Sequence, residues 1–153
     1  LEQLPLAEVT VLDVGTGSGI LAIAAALQGA RQSDALDIDA VSVEVAQANA
    51  ALNHVADRVH IARGTLRGSE TSAGMPVVAA RDYDLVLANI LAEVIIALAP
   101  ALADALAPGG TLVASGIIGE KGDAVAQALS AAGLTVAERL VENDWLALIA
   151  RKP

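Results

Sequence analysis

Cysteine and phenylalanine are absent from the 153 residues, and tryptophan and tyrosine occur once each. Without cysteine there is no disulfide framework, no thiolate zinc site and no thiol nucleophile, and the composition fits a reducing, cytoplasmic compartment. Basic residues are scarce: 9 Lys and Arg stand against 18 Asp and Glu, a formal net charge of -9. That balance argues against the phosphate backbone of a nucleic acid as a direct partner and suits a cationic ligand or a basic protein. Long apolar runs are missing too. The longest, Ile20–Leu27, falls well short of the roughly 18–20 residues that span a bilayer, so no membrane partner is expected. Residues 1–6 lack the basic-then-apolar pattern of a secretory signal. A chain opening on Leu1 is expected to be part of something longer.

Alanine is what the chain has in abundance, with 34 residues inside a hydrophobic fraction of 55%. Small side chains suit helices packed closely on a sheet, and the length suits one domain with a sizeable core. Residues 9–14 read as a buried strand, followed by a glycine-rich turn at 15–19 and a helix at 20–27 stopped by Gly29. Strands are predicted at 34–38, 59–62, 85–88 and 111–114, and helices at 40–52, 91–106 and 124–131. Pro100 is expected to break or restart the third helix, and Pro108-Gly109-Gly110 to form a turn. Residues 63–80 read as a long connection. Residues 134–140 and 146–150 are expected to form an antiparallel hairpin. Alternating strands and helices predict an α/β fold: a mostly parallel sheet covered on both faces, forming a single domain over residues 1–153.

Ligands of such sheets bind beyond the carboxyl ends of the strands. Three features fall there. Asp13-Val14-Gly15-Thr16-Gly17-Ser18-Gly19 follows the first strand and opens a helix, whose free N–H groups can meet an anionic group. Asp37 ends the second strand, placed to accept hydrogen bonds from ribose hydroxyls. Asn89 ends the strand at 85–88, and its amide can donate and accept together. The dinucleotide pattern G-x-G-x-x-G would need glycine at position 20, where Ile20 stands. The pattern D-x-G-x-G-x-G favours S-adenosyl-L-methionine over NAD. Asp39 reads as a helix N-terminal residue, Asp82 and Asp84 as solvated, His54 and His60 as surface residues, and Trp145 as packing for the hairpin. No histidine or carboxylate spacing suggests a metal.

V-L-D-V-G-T-G-S-G-I-L-A-I-A-A at residues 11–25, with L-D-I-D-A and V-E-V-A-Q-A-N-A after it, resembles the first two motifs of class I S-adenosylmethionine-dependent methyltransferases. D-Y-D-L-V-L-A-N-I-L-A at 82–92, P-G-G-T-L-V-A-S-G-I-I at 108–118 and D-W-L-A-L-I-A-R-K at 144–152 are similar to the PrmA-type ribosomal protein methyltransferases. The resemblance covers nearly the whole chain. It implies a Rossmann-like, seven-stranded sheet and methylation of lysine side-chain and α-amino groups on a large-subunit ribosomal protein.

By that resemblance the cofactor S-adenosyl-L-methionine is held by Asp13, Gly15, Thr16, Gly17, Gly19, Asp37, Ile38 and Asn89. Gly15 and Gly17 lie against its methionine part, Asp37 takes the ribose hydroxyls, and Asn89 is the catalytic residue beside the methyl group. Ile38 and Thr65–Leu66 are further candidates for flanking adenine. Thr16 and Ala40 stand where the family often has cysteine and proline. The family also has upstream Gly-Thr-Gly and His-Thr-Thr segments and an N-terminal recognition domain. Leu1–Leu4 resembles the tail of the helix joining them, so the chain is expected to be the C-terminal part of a longer protein. Two other readings stand beside this one: a class I methyltransferase with a small-molecule or RNA acceptor, and a non-catalytic cofactor-binding module.

Overall fold

The computed structural model describes residues 6–66 and 82–153. The reading of Leu1–Leu4 as a helix tail, and the part of the 63–80 connection beyond Leu66, lie outside the described residues. The elements follow the order β1 (Thr10–Val14), α1 (Ile20–Leu27), β2 (Gln32–Asp37), α2 (Ala40–Leu52), β3 (Val59–Arg63), β4 (Tyr83–Asn89), α3 (Ala92–Ala105), β5 (Leu106–Ile118), a 3-10 turn (Gly119–Lys121), α4 (Gly122–Ala131), β6 (Thr135–Glu142) and β7 (Trp145–Arg151).

The seven strands form one sheet in the order β3-β2-β1-β4-β5-β7-β6. β1 to β5 pair in parallel, while β7 runs antiparallel to both β5 and β6. The α/β architecture and the terminal hairpin therefore agree with the sequence. Side chains alternate across the sheet as a pleated strand requires. Leu12, Val14, Val86, Leu112 and Ala114 face α3 and α4. Val11, Leu85 and Leu87 share the opposite face with Ala25 of α1. Farther along that side, Ala22, Ile23 and Ala26 pack with Ala50 of α2 and with Ala35 and Val59. The abundance of alanine is used here, because small contacts bring α1 and α2 close to the strands.

Three local expectations need correction. The expected turn at Pro108-Gly109-Gly110 lies within β5. Tyr83 pairs with Leu106 and Leu85 with Thr111, so residues 107–110 bulge opposite the single Asp84. Hydrogen bonds from Gly109 N to Lys152 O and from Lys152 N to Gly110 O, both 3.0 Å, stitch that bulge to the chain after β7. Asp84 is more than a solvated residue. One of its oxygens accepts from both the N and the Oγ1 of Thr10 at 2.8 Å, and these bonds hold its pKa below the ordinary value. Pro100 does not break α3, which runs unbroken from Ala92 to Ala105. Its apolar face continues on both sides of the proline through Ile95, Leu98, Ala99 and Leu102, all buried. That burial outweighs a proline cost of about 3 kcal/mol. Among the described residues, no helix is long and apolar enough to cross a membrane.

Because Pro100 is exposed, it contributes little packing in return for the backbone bond it removes. Pro100→Ala should therefore raise the unfolding free energy by about 1–3 kcal/mol, tempered by the greater freedom of the unfolded chain. Urea unfolding of the two proteins measures this, and an unchanged midpoint would show that the helix had adapted fully to the ring.

Candidate functional site

Strand order sets the place of the site. From β1 the chain steps outward to β2 and β3, then returns to β4 on the other flank of β1. The loops after β1 and β4 therefore part in opposite directions and leave a crevice at their carboxyl ends.

The loop after β1 folds toward β2, with Gly15 N and Thr16 N donating to Leu36 O at 2.8 and 2.9 Å. Its next amide, Gly17 N, donates to Asp37 Oδ2 at 2.8 Å. The other oxygen of Asp37 accepts from Asp39 N at 3.0 Å. A half-buried carboxylate at the end of β2 is thereby fixed on two sides, with acceptor lone pairs remaining on each oxygen. Asp39 has a different task. It caps α2, accepting from Val41 N at 3.4 Å and from Ser42 N and Oγ at 3.0 Å. The hydrogen bonds from Ser42 hold its pKa below the ordinary value.

Asp13 lies behind the loop, 1% exposed. Its Oδ2 accepts from Thr16 Oγ1 at 2.6 Å, and its Oδ1 has no hydrogen-bond partner among the described residues. Burial pushes its pKa up from 3.8 to about 6, against the lowering effect of the Thr16 bond, and the nearby Asp37 charge adds to the rise. Asp13 and Thr16 thus brace the loop from beneath. Gly19 caps α1 and backs onto α2, where a Cβ would stand 3.1 Å from Ala46 Cβ.

Asn89 closes β4 opposite Ser115 of β5. Two glycines make its seat. At Gly15 a Cβ would overlap Ile90 Cγ2. At Gly116, where the β5–β7 register shifts, φ is +75° and a Cβ would stand 2.6 Å from Asn89 Oδ1. Neither position accepts a side chain while the Asn89-Ile90 turn keeps its place.

The crevice encloses about 560 Å³. Asp37, Ile38 and Thr65 stand on the β2–β3 side, Asn89 and Gly116 on the β4–β5 side, and Ile90, Leu91, Val94 and Leu98 give an apolar wall. Of the residues singled out from sequence, Gly15, Asp37, Ile38 and Asn89 line this space together with Thr65. Asp13, Thr16, Gly17 and Gly19 do not line it and act on its loop instead, while Leu66 is buried in the core at 2% exposure. Trp145 is a correction: it is 56% exposed and lines the crevice instead of packing the hairpin. Sequence reasoning also passed over Gly116, although the glycine in S-G-I-I at the end of a parallel strand marked it. The apolar wall on α3 carries no signal apart from ordinary helical periodicity.

A family model described as ribosomal protein L11 methyltransferase (PrmA) matches residues 1–153. The ribosomal protein L11 methyltransferase of Pelotomaculum thermopropionicum is 53% identical over 142 residues, covering 93% of this chain and 43% of the relative. That of Chloroflexus aurantiacus is 44% identical, covering 100% of this chain and 51% of the relative. The chain thus spans about half the length of these curated relatives. The crystal structure of ribosomal protein L11 methylase from Lactobacillus delbrueckii subsp. bulgaricus superposes with a TM-score of 0.83 at 35% identity, covering 99% of this chain and 74% of that one. An RNA methyltransferase from Salinibacter ruber, solved in complex with S-adenosyl-L-homocysteine, shares the fold with a TM-score of 0.73 at 22% identity, covering 100% of this chain and 87% of that one.

Asp13 makes stability depend on pH in a direction opposite to that of most carboxylates. Its carboxyl titrates near 3.8 when unfolded and near 6 when folded. Between those values the folded protein keeps a proton that the unfolded chain releases, so this group's contribution falls as pH rises across the window. The loss amounts to about 3 kcal/mol. Asp13→Asn should therefore gain on the parent by up to that amount between pH 4 and pH 7. Urea unfolding of both proteins across this range tests it, and a constant difference would place the Asp13 carboxyl in a more polar setting.

Proposed function

The chain belongs to the ribosomal protein L11 methyltransferase (PrmA) family, and on that premise we propose that it binds S-adenosyl-L-methionine and transfers its methyl group to lysine side-chain and α-amino groups of a large-subunit ribosomal protein. The observation that carries this reading is the placement of Asp37 and Asn89 on opposite sides of one crevice at the β1/β4 divergence.

The residues present fit the cofactor. Asp37 offers fixed carboxylate oxygens to a pair of vicinal hydroxyls. Gly15 brings the backbone to the crevice without a side chain, and the apolar wall accepts a flat, weakly polar ring. Bound S-adenosyl-L-methionine supplies a methyl group on a positively charged sulfur, and the protein's share is alignment and exclusion of water. The Asn89 carboxamide can orient an incoming amine from the β4–β5 side. Such an amine must lose a proton first, since lysine titrates near pH 10.4 in water. Among the described residues, Asp37 is the one ionisable side chain lining the crevice, and it lies across β1 from Asn89. The proton therefore passes to bulk water as the amine leaves it, and Ile90, Leu91, Val94 and Leu98 favour that release, because desolvation against them disfavours the ammonium form. The net charge of -9 supports a basic protein as acceptor over a nucleic acid. On the same reading the reaction takes place in the cytoplasm.

Calorimetry should show S-adenosyl-L-methionine and S-adenosyl-L-homocysteine binding, and NAD not binding. Binding of NAD alone would sink the reading. Asp37→Ala should weaken cofactor binding at least tenfold, about 1.4 kcal/mol, through loss of the carboxylate and of its hold on the Gly17 amide.

Labelled-methyl transfer into ribosomal proteins should mark one small basic protein. Asn89→Ala should lower that transfer by about a hundredfold or more, to a residual rate that can still be measured, and leave S-adenosyl-L-homocysteine binding nearly intact. Gly116→Ala pushes on the Asn89 carboxamide and should lower the methylation rate by about tenfold or more. In the Asn89→Ala background the same change should cost no further rate. Additive losses would mean that Gly116 acts on something other than Asn89.

A further inference from the structure

The β6–β7 hairpin presents an apolar surface beside the crevice, and nothing among the described residues covers it. β6 is an edge strand, exposed at every position from Ala137 to Glu142. Leu140 and Val141, adjacent near the end of the strand and both lining one hollow, are 49% and 71% exposed. Trp145 pairs with Glu142 on β6 and with Ile118 on β5, and both Trp145 and Ile118 are exposed. Single exposed apolar side chains are ordinary, but a contiguous group of them marks a contact surface.

That surface is concave and continuous with the site. A hollow of about 510 Å³ is lined by Gly116, Leu140, Val141 and Trp145. A second, of about 610 Å³, is lined by Ile118, Glu120, Asp144 and Trp145. Trp145 belongs to both hollows and to the crevice, and Gly116 joins the first hollow to the seat of Asn89. Charge selects the occupant. Glu120, Glu142 and Asp144 rim the hollows, and none has an ion-pair partner among the described residues. The neighbouring cations are already engaged, Lys121 by Glu93 and Arg139 by Asp123.

We propose that this surface docks a lysine- or arginine-rich stretch of the polypeptide whose amine enters the crevice. Its methylene stems lie on Leu140, Val141 and the Trp145 indole, and its charged heads reach the three carboxylates. A nucleic acid or an anionic lipid surface would be repelled. A second copy in a two-fold arrangement would set the same carboxylates against one another. The identity of the reacting amine rests on the methyl-transfer reading; the docking surface does not.

Trp145 is the chain's single tryptophan, so its emission reports directly on this surface. A lysine–alanine repeat peptide should shift that emission saturably, and its glutamate–alanine counterpart should not. A triple variant carrying Glu120→Gln, Glu142→Gln and Asp144→Asn should bind the basic peptide about tenfold or more weakly, and added salt should act in the same direction. Absence of a shift, or equal affinity in the triple variant, overturns the proposal. So does a concentration-dependent shift without peptide that Val141→Lys removes, since it would assign the surface to self-association. Calorimetry with S-adenosyl-L-homocysteine on the same proteins separates the two readings. Cofactor binding without peptide binding fails the docking surface alone. Peptide binding without cofactor binding fails the methyl-transfer reading alone.

Discussion

The bond from Gly17 N to Asp37 Oδ2 joins two segments that the sheet alone would leave apart. β1 and β2 are neighbours, but the loops beyond them are free to diverge. With the Asp37 carboxylate held also by Asp39 N, the glycine loop, the end of β2 and the start of α2 become one unit. Its consequences reach across the crevice. The loop's position brings Gly15 against Ile90, and Ile90 fixes the turn that presents Asn89. A backbone amide thus couples a carboxylate from β2 to the loop that lies beside the Asn89-Ile90 turn. A side-chain donor in its place would bring rotamer freedom to the same contact.

Small residues let this arrangement close. Gly19 rests on Ala46, and Gly116 leaves room for the Asn89 carboxamide. The alanines of α1 and α2 let those helices approach the sheet. Bulk is concentrated on the opposite face, where Leu98 and Leu102 of α3 pack with Leu112 and Leu148. One face of the sheet therefore fits closely under the loop, while the other supplies most of the buried hydrophobic volume.

Much of this was legible in the sequence. The strand–glycine loop–helix start, the carboxylate after β2 and the asparagine after β4 each sit at a strand end, and strand ends follow from hydrophobic runs. Helix α1 has the predicted bounds, Ile20–Leu27. Three features were hidden, for different reasons. Local propensity predicts that Pro100 interrupts α3, because it says nothing of the buried stripe that carries the helix through it. The Pro108-Gly109-Gly110 bulge looked like a turn because its hydrogen bonds go to Lys152, far off in sequence. Residue type alone predicts packing for Trp145, because aromatics usually are buried. It stands instead at the start of β7, exposed and lining the crevice, a position that residue type does not reveal.

The acidic residues show the same limit more sharply, since identical side chains acquire opposite properties from their donors. Asp39 is exposed and receives three hydrogen bonds, so its charged form is favoured. Asp13 is buried with one donor, and its charged form is penalised. Asp37 is fixed by two amides and open to the crevice. The resulting field is uneven along the path that the proposals assign to the acceptor. Glu120, Glu142 and Asp144 rim the neighbouring hollows, whereas Ile90, Leu91, Val94 and Leu98 give the crevice an uncharged wall. Attraction outside and desolvation inside favour opposite protonation states of the same amine. For the basic acceptor proposed above, the rim would gather the charged form and the wall would favour the neutral form that attacks a methyl group.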